Sequence, residues 1–184
     1  MIARFPVYFL CLLLLAPAQA SATHYVQATG SSLEFSGKYQ GDAFSGRFPG
    51  FKTQLTFNPA DLSKARLDVV IPLISATTRN PDYDQAMLGS DFFNSAKFPN
   101  ARYTATVFKA LGAGRYSAAG ILELRGVKKP VKLLFTWQPG KSPVLTGSAV
   151  VKRLDFNIGI GDWADTAMIA NDVVISTRVV LNSR

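Results

Sequence analysis

The chain has 184 residues, with 20 Lys plus Arg against 12 Asp plus Glu, an apolar fraction of 48%, one Cys and one His. That balance excludes a disordered chain, and because no apolar run reaches roughly 18 residues it also excludes a multi-pass helical membrane protein. A single Cys and a single His leave too little for a disulfide framework, a Cys/His zinc site or a Cys-His nucleophile.

The first element is an export leader. Arg4 supplies the positive start, Val7 to Leu15 supply an apolar stretch of secretory length, and Ala18-Gln19-Ala20 is the small-x-small pattern that a signal peptidase seats. Cys11 lies inside the apolar stretch, after Tyr8-Phe9-Leu10 and not after the small residues of a lipid-attachment box. The chain therefore divides into a signal peptide over 1–22 and one domain over 23–184. Arg4 is the only basic residue of that leader, so +7 of the formal charge of +8 stays with the domain.

From Leu33 onward, apolar residues recur at every second position in short runs bounded by Gly, Pro, Asn and Asp, which is the pattern of strands with one buried face. Phe35 opens the series, followed by Phe44 and Phe48, by Leu55 and Phe57, and by Val69 and Ile71. After an interruption the alternation resumes with Tyr103 and Ala105, then Leu122, then Leu133 and Phe135, with Gly126 to Pro130 expected as the turn between the last two strands. Gly147 and Ala149, and finally Ile175, mark the last two strands. The interruption, Asn80 to Pro99, is the one helical stretch: Pro81 suits a first turn, Asp82 and Asp84 suit its positive end, and Met87, Phe92 and Phe93 give it an apolar side.

An antiparallel meander of about eight strands removes its edges by closing into an up-and-down barrel, which turns one face of every strand toward a common interior. The fold class expected is thus an all-β, lipocalin-like barrel with a short helical cap, and its interior is the candidate site. The small inward residues Gly46, Ala105, Ala118, Gly120, Gly147 and Ala149 either leave room for a guest or accommodate curvature and facing aromatic bulk. Arg153, with Asp155, falls on the inward parity continued from Leu145, and a charge there needs a pair or a polar ligand group. Phe156 and Trp163 follow it as further apolar candidates. The acidic groups around Asp84 and Asp165 match no calcium loop and have no His beside them, so no metal and no catalytic pair are expected. The export leader argues against nucleic acid in spite of the basic balance.

Five stretches in order carry a resemblance: "DAFSGRFPGFKTQLTFNPADL", "RLDVVIPLISATT", "DYDQAMLGSDFFNSAKFPNARYTAT", "GILELRGVKKPVKLLF" and "RLDFNIGIGDWADT". Together they resemble the YceI-like lipid/polyisoprenoid-binding family over nearly the whole domain. The resemblance implies an exported, periplasmic or secreted, non-catalytic barrel that holds a polyisoprenoid lipid or isoprenoid quinone in its lumen, with no other cofactor. The inward residues above would line the guest, and Asp84 and Arg153 would meet its head group. Many members carry Arg-Asp-x-His-Leu where this chain has Tyr83-Asp84-Gln85-Ala86-Met87, so only the Asp transfers. The chain looks closer to members that accompany cytochrome b561-type membrane proteins, which implies such a partner; a homodimer stays open. The alternative reading is a secreted stress-response or structural protein with a filled barrel and a protein partner.

Overall fold

The computed structural model of the protein describes residues 22–184, so the expected leader falls, apart from Ala22, outside the described residues. Ten strand segments follow: β1 (Thr23–Gln27), β2 (Ser32–Tyr39), β3 (Asp42–Arg47), β4 (Lys52–Phe57), β5 (Arg66–Pro72), β6 (Asn100–Gly112), β7 (Arg115–Leu124), β8 (Val127–Gln138), β9 (Val144–Lys152) and β10 (Asp172–Ser183), with one helix, α1 (Pro81–Leu88), between β5 and β6. All ladders are antiparallel, in the order β1-β4-β5-β6-β7-β8-β9-β10-β2-β3, and β1 also pairs with β10.

The ten segments act as eight strands. In the upper half Glu34 faces Arg47 and Tyr39 faces Asp42, while in the lower half Tyr25 faces Leu55 and Thr23 faces Phe57. The register is thus held to within a single residue across the gap, so β1 with β2, and β3 with β4, are the two arms of one long interrupted hairpin. One edge of β10 pairs with β9 along its length, and the other is shared, Val174 to Arg178 with β2 and Leu181 to Ser183 with β1. The barrel therefore closes, as the meander predicts.

The tight turns explain much of the connectivity. Tyr39 and Asp42 are joined by Gln40 (φ 52°) and Gly41 (φ 88°), and Leu124 and Val127 by Arg125 (φ 51°) and Gly126 (φ 75°). Both pairs supply the two positive φ angles that match the twist of a two-residue hairpin. This corrects the expected turn at Gly126 to Pro130: Arg125 accepts a left-handed backbone, and Val127 to Pro130 are strand. Helix α1 is likewise shorter than the interruption that contains it. The Asn80 side chain caps it by accepting from the amides of Asp82 (3.0 Å) and Tyr83 (3.4 Å), and the chain leaves the helix at Gly89.

Inside, the two ends of the barrel differ. At the end away from α1, Phe57 is fully buried and its ring meets those of Trp137 (4.9 Å), Tyr116 (5.2 Å), Phe135 (5.9 Å) and Phe108 (6.0 Å), with Tyr25 against Trp137 at 5.4 Å. That cluster fills the lumen with protein. The inward glycines belong to the same filling logic, because a Cβ on Gly46 would collide with the Phe35 ring and one on Gly147 would lie 2.8 Å from the Leu134 carbonyl oxygen and 2.9 Å from Phe135 Cβ. At these two positions the small residue makes space for a neighbour and leaves none for a guest.

Phe57 therefore anchors the solid end. Phe57→Ala is expected to lower unfolding free energy by about 3–5 kcal/mol, read from urea melts at unchanged m-value; a loss below about 1 kcal/mol would show that the cluster is not the principal core.

Candidate ligand cavity

The other half of the barrel is hollow. A cavity of about 560 Å³ lies between the aromatic cluster and α1, within the size range of small-molecule sites. Phe35, Phe44 and Phe48 line it from the β2–β3 side, Val69 and Ile71 from β5, Tyr103 from β6, Leu122 from β7, Leu133 from β8, Ala149 from β9 and Ile175 from β10; Met87, Phe92, Phe93 and Trp163 close it from the cap. All of these are inward or cap positions named from the sequence.

Six other named positions do not reach the cavity. Leu55 and Phe57 lie lower on β4, where the interior is already filled, and Phe135 is part of the same aromatic cluster. Ala105, fully buried, sits on β6 between Tyr103 at the cavity and Phe108 in the cluster. Gly147 is covered by Leu133, Leu134 and Phe135. Phe156 belongs to a 3-10 turn, Arg153–Phe156, that begins where β9 ends, so the parity count no longer applies to it. Alternation identifies the inner face but says nothing about height along the barrel, which is why these residues were grouped with the rest. Conversely, Ile158 and Ile169 line the cavity from the loops after β9, where no periodicity could point to them. Thr53 also lines it; its signal was its place between Phe51 and Leu55 on the inward parity, hidden by its polar type.

The two head-group candidates have other work. Asp84 is spent in holding α1 to the barrel: its Oδ1 accepts from the Thr78 amide (2.6 Å) and hydroxyl (2.8 Å), and its Oδ2 from the Thr77 hydroxyl (2.7 Å). Thr77 in turn exchanges backbone bonds with Arg47 of β3, at 2.9 and 3.0 Å. Burial opposes the Asp84 charge, but these three donors outweigh it and hold the carboxyl below the usual Asp range. Asp84 is not among the cavity residues.

Arg153 points inward as its parity suggests, although Asp155 beside it is exposed. Its side chain is only 4% exposed and has no carboxylate partner. Instead its guanidinium donates to five backbone carbonyls: Nε to Ala170 (3.2 Å), Nη1 to Ile158 (3.0 Å) and Gly159 (2.8 Å), and Nη2 to Ile169 (2.8 Å) and Asp165 (3.4 Å). Burial, with no compensating carboxylate, pulls its pKa below the ordinary Arg value. Arg153 is a spool on which the loop from Ile158 to Ala170 is wound, and Gly159 fits against it because a Cβ there would lie 2.6 Å from Nη1. The Gly159 and Ile160 amides donate to the Asp91 carbonyl, at 2.7 and 3.1 Å, so this loop and the segment after α1 form one cap.

The rim of the opening is polar. Gln40 and Asp42 at the β2–β3 tip and Tyr83 on α1 are exposed at the edge of the cavity, and Tyr39 meets Tyr83 edge-on at 6.4 Å. Deeper in, the Tyr103 hydroxyl donates to the Ala118 and Val131 carbonyls (3.0 and 3.2 Å), and burial pushes its pKa up to about 12, so it stays a neutral donor. Among the described residues no three His, Cys, Asp or Glu side chains come together as a metal site would need.

A closed eight-stranded antiparallel barrel, hollow and apolar at one end beneath a helical cap, defines the lipocalin-like class of fold. The family profile described as the YceI-like domain matches residues 24–181, and the chain belongs to that family. It is 30% identical to a UPF0312 protein of Shewanella denitrificans over 173 residues, covering 88% of this chain and 91% of the relative. Among solved structures it is similar to BcnA of Burkholderia cenocepacia, with a TM-score of 0.79 at 26% identity over 82% of this chain and 95% of that one. A polyisoprenoid binding domain from Saccharophagus degradans shares the fold, with a TM-score of 0.69 at 18% identity over 89% of this chain and 99% of that one.

Two predictions follow from the cap. Removing the Arg153 spool strands five carbonyls, so Arg153→Met is expected to cost about 3 kcal/mol or more, with Arg153→Lys restoring only part of it because an ammonium has three donors. Chemical denaturation of the three proteins checks this; equal stabilities would refute the role. For Asp84 the folded pKa is depressed, so its contribution is full above the unfolded pKa of about 3.9 and is lost as pH falls through the folded value. The stability gap between wild type and Asp84→Asn should therefore be present at neutral pH and narrow as the solution is acidified past the unfolded value and on through the folded one; a gap independent of pH would show that the charge is not what matters.

Proposed function

We propose that this chain is an exported, non-catalytic binding protein that sequesters or carries a polyisoprenoid, an isoprenoid quinone or another polyprenyl lipid, in the hollow half of its barrel. The observation that carries the reading is the apolar cavity itself, enclosed by β-strands and opening at a polar rim. A cavity of about 560 Å³ suits a guest of drug-like size, such as a chain of roughly four five-carbon units. Each unit brings about 4 kcal/mol of transfer free energy at about 0.8 kcal/mol per CH₂-sized group. Four of them give about 16 kcal/mol, against association costs of about 4–15 kcal/mol, so the tail alone can hold the guest.

Two further points support the reading. The cavity lining is predominantly apolar and contains no His, Cys, Ser or Lys, which suits a hydrocarbon chain. Membership of the YceI-like family, together with the fold shared with the Saccharophagus polyisoprenoid binding domain, supports the same ligand class. The proposal extends to a periplasmic or secreted location, which the leader at 1–22 supports, and to exchange of the guest with a cytochrome b561-type membrane protein, which the sequence resemblance supports.

The test is uptake of prenyl lipid by the purified domain and by one wall variant. Ala149 lines the cavity beside Ile175, so Ala149→Phe should weaken binding of a C20 prenyl probe at least ten-fold, whereas Val150→Phe, on the outer face of the same strand and 57% exposed, should leave it unchanged. Absence of uptake by wild type, or equal uptake by both folded variants, would overturn the proposal.

A further inference from the structure

Every buried polar side chain that lines the cavity has a partner except one. Tyr103 and Arg153 are bonded to backbone carbonyls as described, and the half-buried Thr177 hydroxyl donates to the Ser32 carbonyl at 2.9 Å. Thr53 differs: it is 3% exposed, forms part of the cavity wall, and its Oγ1 has no hydrogen-bond partner. A hydroxyl shut away without a partner is costly, so an unpaired one in a binding cavity calls for a ligand or water to pair it.

The position of Thr53 narrows what the partner can be. On β4 it is the last inward residue at the cavity, because Leu55 and Phe57, the next two on that parity, lie in the filled half. Thr53 therefore stands near the inner end, one inward step above the level of Leu67, the cavity residue that pairs with Leu55, and away from the rim of Gln40, Asp42 and Tyr83. It also forms part of a second, outer hollow of about 530 Å³ at the interruption of the long hairpin, together with Gln27 and Pro49. At this point the barrel wall is one side chain thick. Rotation of Thr53 about χ1 trades the places of its hydroxyl and methyl, so the hydroxyl can be offered to a guest without moving the backbone. The one cation of the lining, Arg153, has its donors engaged by carbonyls, and Lys52 lies on the outer side of the wall, exposed in the second hollow, so no charge inside the cavity could balance a phosphate.

We infer that the Thr53 hydroxyl is a polar subsite at the floor of the cavity, that it takes a neutral carbonyl or hydroxyl group of the guest, and that the guest enters polar end first with its prenyl tail toward the rim. This rests on the lipid-carrier reading above and adds to it the chemistry and orientation of the ligand. A prenyl phosphate is excluded from this orientation by the uncompensated charge it would bring to the floor.

Thr53→Val tests it with little risk to the fold, because valine keeps the shape and removes an unpaired hydroxyl, which leaves the unliganded protein as stable or more so. Three C20 probes are titrated into wild type and variant: a prenyl ketone, the hydrocarbon of the same length, and the prenyl phosphate. The expected result is a five- to ten-fold weaker ketone affinity in the variant, with hydrocarbon affinity unchanged and phosphate affinity insensitive to the substitution. Equal ketone affinity in the two proteins overturns the inference, as does an equal change for ketone and hydrocarbon, which would mean that the hydroxyl serves packing or a trapped water shared with Gln27. Failure of wild type to bind any of the three probes would instead remove the carrier reading itself, so the two failures are distinguishable.

Discussion

Closure through β10 is the constraint on which the rest of this molecule depends. A strand whose second edge is divided between two partners, β2 above and β1 below, closes the lower ring through β1 and β4, while above it β3 is joined to the chain after β5 by the Arg47–Thr77 bridge, and the inner face of every strand is committed to one shared interior. Because the pairing is antiparallel throughout and the side-chain period is two, the inward set is fixed once the register is fixed. What fills that interior is then decided by side-chain size alone. Four large rings gathered around Phe57 at one end leave nothing for a guest, and the Phe, Val, Ile and Leu side chains of the other end stop short of meeting across the lumen.

The cap depends on two charged residues that do not contact solvent ligands. Asp84 ties α1 to the chain beyond β5 and, through Thr77, to β3, at the Arg47–Thr77 bridge that joins the outer edge of β3 to that chain. Arg153 gathers the loop after β9 from inside. Both act by satisfying groups that the irregular chain would otherwise leave unpaired, the threonine donors in one case and five carbonyls in the other. An irregular cap over an apolar cavity needs such a device, since loops rarely run through a protein interior without losing hydrogen bonds.

The sequence made the barrel legible because alternation is a direct record of which face is buried, and residues such as Val69, Ile71, Tyr103 and Leu133 could be placed by counting alone. It did not reveal height. Phe57 and Phe48 look alike in the sequence, yet one fills the solid end and the other walls the cavity, a distinction set by the stagger of distant strands. Parity points Arg153 inward, but its partners are backbone atoms in a loop, and backbone carbonyls have no signature in a sequence. Thr53 was the reverse case: the counting was sufficient, and the residue was passed over because a hydroxyl breaks an otherwise apolar pattern. That break is itself information, since one polar residue on an inward face is either satisfied by its surroundings or waiting for something that is absent.

The division of the barrel also resolves a conflict between stability and capacity. With its one cysteine at position 11, the domain after residue 22 has no disulfide to rely on, and a cavity of about 560 Å³ forgoes the packing that would otherwise stabilise its walls. A uniformly half-filled barrel would be weak everywhere and would define no pocket. Concentrating the aromatic rings at the end away from α1 lets that end act as a rigid base from which the strands project, so the walls around the void are held in register by ladders anchored below. The hollow end can then forgo that packing without losing the register of its walls.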